Sequence, residues 1–205
     1  MANHSSINQN NADSMMAVAM QKVSAEKAID IAKNYELEDE GRALLTDDQK
    51  PSDFLDTLIE HELYHDAVTF LAHSLPVREA VWWACVCSRY FLEGSDVKYQ
   101  LAQNAAEAWV YEPNEQNRRV AEKYAEEGDY ASPASWTAAA AFWSGGSITA
   151  ESEPAMEPPP SLYAHAVTGA VVMAAGWQEP EEDEVKQRYE TYLKHGINIA
   201  NGGNG

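Results

Sequence analysis

His61-Glu62-Leu63-Tyr64-His65 is the segment whose residue types and spacing suggest chemistry. On one unbroken helix, two histidines four positions apart share a face and can hold zinc, while the glutamate between them activates the metal's water for hydrolysis. A zinc-dependent hydrolase with His61 and His65 as ligands and Glu62 as base is therefore one reading. Three features count against it. Leu63, Ala67, Phe70, Leu71 and Leu75 stand at helical spacing, so a new helix starts at Leu63 and the histidines straddle a turn. Asp66 puts a charge directly after the second histidine, and no downstream His or Glu has a recognisable third-ligand spacing, although Glu79 is within range. The plainer expectation is two polar histidines at a helix junction, solvated or bonding a free carbonyl, with no metal and no cofactor.

A second constellation is aromatic and cationic. The chain has six tryptophans, and rings at helical spacing are more often core than ligand box. Trp82 and Trp83 are adjacent, however, and lie about 100° apart around a helix, so one of them is free to line a groove. Arg78, Glu79, Arg89, Arg118 and Arg119 lie near these rings in sequence. Bound to carbonyls or carboxylates they are structural; exposed beside aromatics they make a protein-binding hot spot. The candidate partner-binding set is Arg78, Glu79, Trp82, Trp83, Arg89, Arg118 and Trp143. Ser144-Gly145-Gly146-Ser147 follows a helix with no strand before it, so it reads as a helix stop rather than a phosphate cradle. No serine sits in a nucleophile-elbow pattern, and no catalytic triad is expected.

These residues must be positioned by helices. Ser24 reads as the cap of a helix through Ala32, and Glu38 to Leu45 as a second, short one. Pro51-Ser52-Asp53 opens a third, and Pro76 separates Leu63–Leu75 from an all-round apolar helix holding Trp82, Trp83, Cys85 and Cys87. Ser95-Asp96 caps the next, through Trp109; Pro113 starts another, and Ser132-Pro133 a further one closed by Gly145-Gly146. Ser161 to Trp177 is apolar, and Glu181 to His195 is amphipathic and ended by Gly196. The fold class is all-α: about nine helices in antiparallel hairpins, as a compact bundle or a short solenoid-like array. One helical domain spans residues 15–200, with a proline-rich loop at 147–160. Residues 1–14 read as a disordered tail and 201–205 as a flexible one.

Composition limits the partners. With 205 residues the chain can bury a core without staples. Fourteen Lys and Arg against 33 Asp and Glu give a formal charge of −19, which repels phosphate backbones and anionic lipid, so no nucleic acid and no membrane surface is expected. Cys85 and Cys87 point to nearly opposite sides of a helix and cannot bridge. No apolar stretch approaches the roughly 20 residues of a membrane span, and the start of the chain has no secretory pattern. The expected location is the cytoplasm, unless another machine exports the protein.

Phe70-Leu71-Ala72-His73-Ser74-Leu75-Pro76-Val77-Arg78-Glu79-Ala80-Val81-Trp82-Trp83-Ala84-Cys85 resembles the hallmark of a bacterial helical family of unknown function met in type VI secretion gene clusters. Ala105–Val110, Pro113 with Arg118-Arg119, Ala141–Ser147, Pro158-Pro159-Pro160 and Ala166–Val171 agree with it. The resemblance implies a helical accessory protein near secreted toxins and their spike components, with no catalytic residues to carry over. The resulting expectation is a non-enzymatic adaptor or chaperone that binds an effector or spike component. The zinc hydrolase is the alternative, and a secreted effector or immunity partner the third reading.

Overall fold

Proline starts, side-chain caps and apolar stripes set the order of elements. In the computed structural model, which describes residues 20–150 and 152–205, ten α-helices follow one another, with no strand among the described residues. They are α1 (Ala28–Ala32), α2 (Asp39–Leu44), α3 (Pro51–Glu60), α4 (Tyr64–Ser74), α5 (Val77–Ser88), α6 (Val97–Tyr111), α7 (Glu115–Glu127), α8 (Pro133–Phe142), α9 (Leu162–Ala175) and α10 (Glu182–Ala200). A 3₁₀ turn at Arg89–Phe91 follows α5. The tail expected at 1–14 lies outside the described residues.

Local chemistry explains the starts of α3, α6, α7 and α8. The side chains of Asp96, Asn114 and Ser132 accept the backbone N–H of Lys98, Asn117 and Ser135, meeting donors that the first helical turn leaves unpaired. Proline stands in the first turn of α3 and α8, where its missing N–H is no loss. Three expectations need correction. Ser24 caps nothing: α1 begins at Ala28, with Lys27 at the cap position and no side-chain bond. Gly196 does not end the last helix, which runs through it to Ala200. A Cβ there would lie 2.6 Å from Leu71 Cδ2, so this glycine marks a close approach rather than a stop. Residues 201–205, expected to be loose, make hydrogen bonds: Gly203 N donates to the carbonyl of Asn198, Gly205 N to its side-chain oxygen, and Asn204 O accepts from Trp82 Nε1 at 2.8 Å.

Packing decides between bundle and solenoid. A solenoid confines each helix to its neighbours in sequence, yet α5 packs on α6, α8, α9 and α10, and α4 packs on both α9 and α10. The molecule is a bundle with α5 and α8 near its centre. Trp83 is fully buried on α5, and its Nε1 donates to Tyr192 O of α10 at 2.7 Å. Ala134 and Ala138 to Ala141 are buried on α8, and these small side chains let its backbone pack closely on α9, its most extensive partner. No helix of the described residues is long and apolar enough to cross a membrane.

Candidate functional site

Position 82 is one turn along α5 from Arg78, and 89 follows just past the helix end, so Arg78, Glu79, Trp82 and Arg89 come to one surface. They line an open groove of about 760 Å³ together with Lys22, Glu107, Tyr111 and Asn204 among others. Each charged wall is fixed by a partner. Arg78 Nε donates to Val110 O at 2.6 Å and its Nη2 to Tyr111 O, so the guanidinium satisfies carbonyls at the negative end of the α6 dipole. Lys22 pairs with Glu79 at 2.9 Å, and Arg89 Nε donates to Glu107 at 2.7 Å.

Trp82 is part of the lining. Its ring is half-buried, the Arg89 guanidinium carbon lies 4.6 Å from the ring centroid, and its N–H is held by Asn204. Tyr111 stands at the rim with 86% of its surface exposed. Three cations face two carboxylates here, so the groove is locally balanced on a chain whose formal charge is −19. Aromatic faces beside guanidinium groups, in a concavity of this volume, suit a peptide or protein surface with apolar and polar groups together.

The remaining candidates lie elsewhere. Trp83 is core. Arg118 is buried in α7, where it donates to both oxygens of Glu115, to Phe142 O at 2.8 Å and to Ser147 O at 2.8 Å. It ties the end of α8 and the following loop to α7. The Arg118 guanidinium holds the Glu115 carboxyl down at about 2. Gly146, at φ +67°, lies flat against Arg118, with which a Cβ would make a 3.2 Å contact. Trp143 stacks on Tyr130 and meets Trp136 edge-on, in an aromatic cluster of its own. Sequence reasoning missed Lys22, Glu107, Tyr111 and Asn204 as groove residues. For Tyr111, a signal existed in an aromatic at the end of a helix beyond its apolar stripe; for Asn204, a tail read as loose hid it.

The histidine segment is broken by a turn. His61 is the C-cap of α3, its Nδ1 2.9 Å from Thr57 O; Glu62 is left-handed at φ +59° and pairs with Lys186; and His65 lies in the first turn of α4. The two histidines therefore do not share a helix, and the geometry that lets this spacing bind zinc is missing.

Fold and groove together define an all-α protein with an open groove beside its central helix. The chain belongs to a family of unknown function, DUF6931, whose family model matches residues 54–200. The match covers every helix from α4 to α10 and most of α3, and so the groove's α5 and α6 walls. No curated protein and no solved structure matches the chain.

Proposed function

We propose that this chain is a non-enzymatic accessory protein, an adaptor or chaperone, that binds an effector or spike component of a bacterial type VI secretion system through the Trp82 groove. The observation that carries the proposal is the half-exposed Trp82 beneath Arg89, framed by Arg78 and the exposed Tyr111. Buried contact on Trp, Tyr and Arg dominates the binding energy of protein interfaces. The groove's ionisable groups are engaged with each other or with helix-end carbonyls, an arrangement suited to recognition rather than proton transfer. The secretion context rests on the resemblance of the Phe70–Cys85 segment, which contains Arg78, Glu79 and Trp82.

The test compares affinity purification of the full chain with that of a Trp82→Ala, Tyr111→Ala double variant, read by mass spectrometry against proteins encoded in the same secretion cluster. The wild type is expected to retain an effector or spike protein, and the variant to lose it by about tenfold or more, the loss of one strong aromatic anchor. Recovery of no such protein, or equal recovery by both, overturns the proposal.

A further inference from the structure

The turn that breaks the His61 to His65 segment leaves His65 facing a different pair of side chains. We propose that Glu38, His65 and Asp66 form a binding site for one divalent transition-metal ion of the zinc, cobalt and nickel class. One ligand atom from each residue lies within 4.8 Å of the other two. His65 Nδ1 is 3.5 Å from Glu38 Oε1. The cluster joins the segment before α2 to the first turn of α4.

Asp66 carries the inference beyond a chance meeting of surface charges. It is 3% exposed, and its Oδ2 has no hydrogen-bond partner. Oδ1 receives one long contact, from Glu38 N at 3.5 Å, and Gly41 makes room for the carboxylate, since a Cβ there would overlap Oδ2. An unpaired buried carboxylate is costly unless it meets a donor or a cation, and a metal supplies the cation.

The donor set selects the class of ion. One imidazole with two carboxylates suits borderline metals, whereas calcium and magnesium prefer oxygen alone. Glu38 and His65 are exposed and free to swing the short distance to ligand bonds of about 2.0–2.2 Å around a common ion. Three protein ligands leave a position for water or for a group of a bound partner. The site uses His65 but neither His61 nor Glu62, so it is distinct from the protease-like spacing of the sequence.

Chelator-treated full-length protein titrated with zinc chloride by calorimetry tests the site, with cobalt(II) absorbance as a second readout. The expected result is a stoichiometry near one, with affinity weakened by about tenfold or more in both Glu38→Gln and His65→Ala and unchanged in His61→Ala. A zinc-dependent rise in Tm is expected in the wild type and His61→Ala but not in His65→Ala. Because Glu38 and His65 are exposed, both variants are expected to fold as the wild type does. No stoichiometric zinc binding by the wild type, binding unaffected by Glu38→Gln and His65→Ala, or binding abolished by His61→Ala overturns the inference. The outcome is independent of the groove, since Trp82 and Tyr111 take no part.

Discussion

Gly196 of α10 lies against the indole of Trp83 on α5, where a Cβ would come within 2.8 Å of Trp83 Cε2 and 2.6 Å of Leu71 Cδ2. Alanine is a better helix former than glycine by about 1 kcal/mol, but forcing a methyl into a packed core costs about 1–3 kcal/mol. Trp83 has no easy retreat, because it is fully buried and its N–H is bound to Tyr192 O. Gly196→Ala is therefore expected to lower the unfolding free energy by about 1 kcal/mol in urea denaturation. An unchanged or increased stability would show that α10 can shift away from α5.

Arg118 is the buried cation that joins α7 to the loop after α8. Arg118→Ala removes its bonds to Glu115, Phe142 O and Ser147 O together, leaving the carbonyls without their donor. A loss of about 3 kcal/mol is expected, with faster proteolysis between Ser144 and Pro160. Arg118→Lys is expected to rescue little, since an ammonium cannot reproduce the fork that reaches carboxylate and carbonyls at once. Arg119→Ala, which removes a less buried guanidinium, is expected to cost less. Equal effects of the two alanine variants in chemical denaturation would contradict this assignment.

His73 makes stability depend on pH. It is buried, neither ring nitrogen has a hydrogen-bond partner, Tyr35 stacks on it at 4.7 Å, and His165 meets it edge-on at 4.8 Å. Burial, with His165 adding to it, pushes its pKa down from 6.5 to about 4. The unfolded chain thus takes up a proton near pH 6.5 that the folded chain refuses until about pH 4. The stability conferred by neutral His73 is complete above the unfolded value and is lost as pH falls through this window. Roughly 2 kcal/mol should disappear between about pH 7 and pH 5. His195, also lowered by burial, acts in the same direction. His73→Phe should flatten the slope in urea titrations at the two pH values; an identical slope would remove His73 from the account.

The legible parts of the fold were those with local causes. Ser132-Pro133, Pro51 and Asp96 act within one helical turn of themselves, and the structure places helix starts there. The angular separation of Trp82 and Trp83 was equally local, and it divides them into a groove residue and a core residue. Long-range contacts decided the rest. A glycine inside a helix and a glycine ending one are the same letter, and only Leu71 and Trp83, distant in sequence, distinguish them at Gly196. Arg118 and Trp143 looked like groove residues because charge and aromaticity were visible, while the carbonyls and rings that engage them were not. Glu38 and His65 are separated by a helix hairpin, so no spacing rule links them.

The run of buried alanines on α8 has a consequence for how this chain can vary. At Ala139 or Ala140 no side chain can be trimmed to relieve crowding, short of glycine, and each larger apolar residue adds volume where helices already touch. Drift at these positions is therefore one-sided: neighbouring helices must separate before any bulkier residue is accommodated. On α9, Gly169 sits against the Trp136 ring of α8, so this closely packed pair of helices leaves little room for adjustment by substitution.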